Sequence, residues 1–238
     1  MAHELISFNT GKALAADVAG RWLDLIARAT QARTPHRVAL AGGRITQLFL
    51  KSSADEVVRR GISLDRVEFF WGDERCVPPD HVDSNFRLAR ASLFEAARVS
   101  AVRLHRIRGE IEPVMAARQA EAELRATAPI GATGQPVLDL VFLGMGEDGH
   151  VASLFPGADP EVTESTATYV TVIGPKPPPR RISLTFSAIQ AAREVWVLAS
   201  GVGKELALKE SLSGNSTPMG RVLTDRAHTV VFTDMRLP

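Results

Sequence analysis

His150 follows Asp148 by two residues and Glu147 by three, in a segment that also carries Gly144, Gly146 and Gly149. Histidine is the side chain whose unperturbed pKa lies nearest neutrality. Beside a carboxylate, on a glycine-shaped loop, it suits proton transfer. Three further groupings have chemical potential: Gly42-Gly43-Arg44, Gly72-Asp73-Glu74-Arg75 and Gly201-Val202-Gly203-Lys204. Arginine and lysine next to glycine-exposed backbone amides suit a phosphate. Together the four groupings point to an enzyme acting on a small phosphorylated molecule, provided the fold brings them to one place.

The elements before them make that convergence plausible. Each grouping follows a segment that reads as a strand: Arg37–Ala41, Val67–Trp71, Val195–Ala199 and the apolar, buried run Val137–Leu143. Further strands are expected at Glu4–Phe8, on an edge, and at Thr168–Ile173, Ile182–Phe186 and Thr229–Phe232. Helical spacing covers Lys12–Ala32, Ile45–Arg60, Asn85–Ala97, Pro113–Ala128 and Val202–Ser213. The rhythm is strand–helix–strand. It predicts one α/β domain over residues 1–238, Rossmann-like, with a mostly parallel sheet, helices on both faces and room for a small inserted or appended subregion. In such sheets ligands bind past the carboxyl ends of the strands, which is where all four groupings fall. Pro177-Pro178-Pro179 stiffens the chain before Arg180-Arg181.

Several functions are excluded or disfavoured. Gly144, Gly146 and Gly149 match the G-x-G-x-x-G dinucleotide pattern. Glu147 and Asp148, however, put negative charge where a pyrophosphate needs a positive helix end. Pro156 also limits any following helix to about one and a half turns. His81, Asp83, Asp148 and His150 are conceivable metal ligands, but no zinc spacing is present, and no metal is expected. His81 equally suits a turn. There is no G-x-S-x-G elbow and no phosphate-binding P-loop.

The 238 residues include 28 Lys plus Arg against 27 Asp plus Glu, so charge gives no argument for nucleic acid or a membrane. No stretch approaches the ~18 apolar residues of a membrane span. The amino-terminal residues do not resemble a secretory signal. Cys76 is the only cysteine, as fits a reducing compartment. A cytoplasmic protein is expected, a monomer or weak homo-oligomer whose partner is a small-molecule substrate.

The segments Phe69–Arg90, Leu138–Gly157 and Pro175–Phe186, with Gly201–Lys204, resemble the glucosamine-6-phosphate isomerase/6-phosphogluconolactonase superfamily, and within it the lactonases. The resemblance runs over nearly the whole chain. It implies hydrolysis of 6-phospho-D-glucono-1,5-lactone to 6-phosphogluconate, in the oxidative pentose phosphate pathway, with no cofactor. His150 is then the general base. Asp148 or Asp73 orients it or the sugar hydroxyls. Gly42 and Gly43 supply backbone to the ligand. Arg75, Arg181 and Lys204 divide phosphate binding and charge stabilisation between them, and Arg181 matches the family arginine better than Arg180. Arg44 departs from the Ser or Thr usual at its position and either pairs with phosphate directly or crowds the loop.

Two alternatives have distinct signatures. Amino-sugar phosphate isomerases and deaminases carry an Asn-Glu pair after the histidine motif, where this chain has Val151-Ala152-Ser153-Leu154-Phe155-Pro156. A sugar-phosphate sensor would bind without turnover.

Overall fold

The computed structural model describes residues 3–237. In chain order its elements are β1 (His3–Ser7), α1 (Gly11–Gln31), β2 (His36–Leu40), α2 (Arg44–Arg60), β3 (Val67–Trp71), β4 (Asp73–Arg75) and α3 (Asn85–Ala89). A π-turn (Arg90–Phe94), a 3₁₀ turn (Ala101–Arg103), α4 (Pro113–Thr127), β5 (Leu140–Gly144) and α5 (Pro160–Thr163) follow. The chain ends with β6 (Tyr169–Ile173), β7 (Arg180–Leu184), α6 (Phe186–Ala191), β8 (Glu194–Ala199), α7 (Glu205–Ser213), α8 (Pro218–Asp225) and β9 (Thr229–Thr233).

Six strands form one sheet in the order β1-β9-β8-β5-β2-β3, and every pairing is parallel. The expected mostly parallel α/β sheet is therefore present, with β1 on its edge. A parallel sheet covered on both faces needs strands that are apolar throughout rather than alternating. Accordingly, β5 is apolar throughout and buried over its first four residues. The helices that cover the sheet present apolar stripes to it. On one face Trp22 of α1, Phe49 of α2 and Phe142 of β5 pack as an aromatic cluster, with Phe49 and Phe142 ring centres 4.6 Å apart. Trp22 donates its indole N–H to His36 Nε2 at 3.2 Å. Burial pushes the His36 imidazole down to about 4, a shift that Asp139 opposes and Arg37 assists. The ring is neutral and acts as an acceptor.

The small subregion is a second sheet, β4-β7-β6, antiparallel throughout. Two expectations change here. Residues 72–75 do not form a loop: the chain runs from β3 through Gly72 straight into β4. Gly72 joins the sheets, because its N–H donates to Leu40 O at 2.8 Å while its carbonyl accepts from Leu184 N–H at 2.7 Å. Thr168–Ile173 and Ile182–Phe186 contain strands, but they belong to this second sheet. The latter strand ends at Leu184 because the Thr185 hydroxyl caps α6, accepting from Ala188 N–H.

Other boundaries also move for local reasons. Strand β5 begins at Leu140 rather than Val137, since Asp139 turns its carboxylate to the N–H of Arg37. The helix expected over Asn85–Ala97 loosens into the π-turn and closes at Phe94. No helix among the described residues is long and apolar enough to cross a membrane.

Candidate active site

Because β2, β3, β5 and β8 are parallel neighbours in one sheet, their carboxyl ends share an edge. A cleft of about 310 Å³ opens there. It is lined by Gly42, Gly43 and Arg44 after β2, by Asp73 and Arg75 of β4, by Gly146, Glu147 and His150 after β5, and by Ser200 and Lys204 after β8. The β6–β7 connection contributes Lys176, and β7 contributes Arg181. Of the residues expected in the site, only Asp148 does not line the cleft; it stands behind His150.

The histidine loop is a closed turn. Gly146 N–H donates to His150 O at 2.9 Å, and Gly149, at φ 75°, reverses the chain. His150 folds back so closely that a Cβ on Gly146 would stand 2.0 Å from its Nδ1. Nδ1 lies 2.5 Å from Asp148 Oδ1, which also accepts the backbone N–H of His150 at 3.1 Å. Burial acts to raise the Asp148 carboxyl, but the backbone N–H, charge and ring of His150 outweigh it and hold the group below its ordinary range. An ionised Asp148 requires a donor, which assigns the proton of a neutral ring to Nδ1. Nε2 then carries the lone pair, and it has no hydrogen-bond partner among the described residues. Ala152, on the same cleft wall, adopts φ 49°, a strained conformation for a residue with a side chain.

This loop also disposes of the dinucleotide reading. Residues 145–155 form turns and isolated bridges, so no helix N-terminus faces a ligand there. His81 takes the turn role, its Nδ1 accepting the Asp83 N–H at 3.2 Å. Among the described residues no group of three or more His, Cys, Asp or Glu is disposed to hold a metal.

The cleft is strongly cationic. Arg75 and Arg181 are directly paired residues on β4 and β7, and like charges placed opposite one another destabilise a sheet unless something compensates. Arg75 donates from Nη1 to Asp83 O at 2.8 Å, while its Nε is buried without a partner. Arg181 donates to the carbonyls of Pro178 and Lys176. Burial lowers its pKa and the Arg75 charge lowers it further, against Asp73 and Asp83. Lys204 donates to Met145 O at 2.6 Å. Its pKa is also lowered, first by burial and then by Arg44, with Glu147 and Asp234 opposing. Arg44 is exposed at the start of α2 and makes no ion pair among the described residues. Gly43, at φ 95°, gives α2 no side-chain cap, so its first amides remain open to an anion. Arg180 is exposed and lines a different depression, beside Cys76.

Asp73 was expected to orient either the histidine or the sugar hydroxyls. It is buried and makes no hydrogen bond to His150. Its Oδ2 accepts from the Ser153 hydroxyl at 2.7 Å and its Oδ1 from Asn85 Nδ2 at 3.1 Å. Asn85 was not anticipated. It explains Gly42, where a Cβ would come within 2.0 Å of the Asn85 amide oxygen. Glu74, buried next to Asp73, accepts backbone N–H groups of Arg75, Asn85 and Phe86 and the Ser84 hydroxyl, tying α3 to β4. Burial pushes its carboxyl up to about 7 despite those donors. Lys176, Ser200 and Phe155 were likewise not singled out. The Ser84 cap marks a helix start in the sequence, but nothing in the sequence aims Asn85 at the cleft.

The chain is similar in sequence and fold to known proteins. A family described as glucosamine-6-phosphate isomerases/6-phosphogluconolactonase matches residues 9–232. The 6-phosphogluconolactonase of Streptomyces coelicolor is 38% identical, over 89% of this chain and 83% of its own. That of Mycobacterium tuberculosis is 36% identical, over 90% of this chain and 87% of its own. The solved structure of 6-phosphogluconolactonase from Trypanosoma brucei superposes with a TM-score of 0.84 at 28% identity, covering 96% of this chain and 94% of that one. Sequence and fold agree over nearly the full length, and the chain belongs to the glucosamine-6-phosphate isomerase/6-phosphogluconolactonase family.

Proposed function

We propose that this protein is a cytoplasmic 6-phosphogluconolactonase that hydrolyses 6-phospho-D-glucono-1,5-lactone to 6-phosphogluconate, as one α/β unit and without a cofactor. The observation that carries the reading is the His150 ring, fastened to Asp148 through Nδ1 with Nε2 unengaged, in a cleft whose cations outnumber its carboxylates. The close 6-phosphogluconolactonase relatives support it. One contiguous core from Leu14 to Met235 supports the single unit, and the lone cysteine fits a reducing compartment.

Neutral His150 takes a proton from water through Nε2 as the water oxygen attacks C1 of the lactone. Asp148 stabilises the imidazolium that forms. Negative charge grows on the carbonyl oxygen, and Arg75, which lines the cleft, is the cation assigned to it. The tetrahedral intermediate collapses with cleavage of the bond between C1 and the ring oxygen. His150 returns its proton to that oxygen as it leaves. Arg44, Arg181, Lys204 and the uncapped amides of α2 hold the phosphate at the other end. Burial depresses Arg181 and Lys204 first; the Arg75 charge adds to the effect at Arg181 and the Arg44 charge at Lys204, and an entering dianion offsets both. Asp73 is held by Ser153 and Asn85 and presents its remaining acceptor capacity to the sugar hydroxyls.

The test is proton release in a pH-stat on adding fresh lactone, corrected for spontaneous hydrolysis, with unphosphorylated glucono-1,5-lactone alongside. The expected result is enzymatic turnover with kcat/KM strongly favouring the phosphorylated substrate. Equal efficiency on both lactones would remove the phosphate role of the cations, and binding without turnover would make the protein a sensor.

A further inference from the structure

One side chain touches both ends of this machinery. The Phe155 ring lies 4.6 Å, centre to centre, from the His150 ring at an angle of 46°. It also lies 5.4 Å from the guanidinium carbon of Arg181, within cation–π range. Phe155 is itself buried, 8% exposed, so the ring has little freedom to leave either partner. Gly174 backs the arrangement. A Cβ there would stand 2.9 Å from Phe155 Cε2 and 3.0 Å from Arg181 Nε. The same loop holds the Arg181 guanidinium through the carbonyls of Lys176 and Pro178. Its ends are tied together by Gly174 N–H donating to Pro179 O at 2.7 Å.

We propose that Phe155 is a positioning residue that fixes the separation between the general base and the phosphate anchor. The inference rests on the lactonase reading above and deepens it. His150 is carried by the loop after β5 in the large sheet, whereas Arg181 is carried by β7 in the small one. No hydrogen bond joins the two side chains. The Phe155 ring is the contact they share. A substrate whose phosphate is held near Arg181 delivers C1 to Nε2 only if that separation is kept. Binding energy at the phosphate is thereby converted into alignment at C1, the form of catalysis most sensitive to small displacements. A planar ring meets this need where an aliphatic side chain does not, because its face attracts the guanidinium while its flat surface limits tilting of the imidazole.

The test uses Phe155→Leu, which keeps an apolar side chain, and Gly174→Ala, which keeps the ring and pushes it and Arg181 apart. Each is also combined with Arg181→Lys. Steady-state lactonase kinetics are measured on the whole protein, with circular dichroism melting as the check on folding. Both single variants are expected to fold and to lose about tenfold or more in kcat/KM, with a fall in kcat at saturating lactone as well as a rise in KM. Phe155→Leu combined with Arg181→Lys is expected to lose no more than the worse single variant, since the coupling is already broken. Wild-type kcat in both single variants, or losses that multiply in full with Arg181→Lys, would overturn the proposal and reduce Phe155 to filling space. If Phe155→Leu does not fold, Gly174→Ala decides. A wild-type protein without lactonase activity would instead overturn the functional reading itself, so the two failures are told apart.

Discussion

A single methyl group added at Gly146 tests whether the geometry of the Asp148–His150 pair drives turnover. The Cβ would sit 2.0 Å from His150 Nδ1, 2.2 Å from Cε1 and 2.6 Å from Asp148 Oδ1. Gly146 has no positive φ, so alanine meets no backbone penalty and the whole conflict falls on the pair. Restoring the shortest ordinary contact of 3.4 Å requires the ring to retreat by about 1.4 Å. A misplacement of about 1 Å costs on the order of 10²-fold, and the whole contribution of a general base is about 10²–10⁴-fold. Gly146→Ala is therefore expected to lower kcat by about 10²-fold or more, approaching His150→Ala. KM should change less than kcat, because the atoms nearest the added Cβ belong to His150 and Asp148 and to none of the cleft's arginines or lysines. Pairing Gly146→Ala with His150→Ala should cost nothing beyond His150→Ala alone, since both remove the same function. The assay is proton release from fresh lactone at saturation, with urea unfolding to verify the fold. A folded Gly146→Ala enzyme with wild-type kcat would refute the assignment of His150, held as it is here, to the proton transfer.

Two other perturbations have defined outcomes. Arg44→Glu should raise KM for the phosphorylated lactone strongly at low salt and less at moderate salt, while Arg44→Ser changes it modestly; an Arg44→Glu enzyme that binds like wild type would leave Arg44 as a surface residue worth at most about 1 kcal/mol. His36, neutral and buried, resists a proton that the unfolded chain accepts near 6.5, so its contribution is complete above that pH and is lost as pH falls toward about 4, by about 3 kcal/mol in all. Glu74 acts in the opposite sense over part of that window, so the measurement is the difference in urea stability between wild type and His36→Gln from pH 7.5 to 4.5, and an unchanged difference would refute the His36 assignment.

Much of this was legible in the chain because it depends on local pattern. Buried parallel strands such as Leu140–Gly144 read as continuous apolar runs, and the polar groups that follow them must lie on one edge once the strands are parallel. The glycine spacing around His150 likewise announced a turn that presents the ring. Strand β4 was not legible: Asp73-Glu74-Arg75 is short and entirely charged, and it becomes a strand only because β7, more than a hundred residues later in the chain, pairs with it. Asn85 and Phe155 belong to the same class. Their roles follow from the close approach of Asn85 to Gly42, and of Phe155 to both His150 and Arg181. Phe155 in particular reads in sequence as one more apolar residue before a proline. Asp73 was picked out correctly as a cleft residue, but its partners Ser153 and Asn85 come from distant segments, so its separation from His150 could not be foreseen.

The family embraces hydrolysis and isomerisation of sugar phosphates on one fold, so the choice between them falls to the unengaged bases in the cleft. Moving a proton between adjacent carbons and opening a sugar ring calls for more than one acid–base group near the reacting carbons. Here Asp73 is taken up by Ser153 and Asn85. Glu147 is exposed at the mouth, 3.6 Å from Lys176. Asp148 is committed to Nδ1 of His150. The wall from Val151 to Phe155 carries no carboxylate. His150 Nε2 has no hydrogen-bond partner among the described residues, while its ring is fixed through Nδ1. Lactone hydrolysis needs one such base and no more, because the proton removed from water is the proton the leaving ring oxygen requires. A ring held in this way among cations suits an activated ester that carries a phosphate.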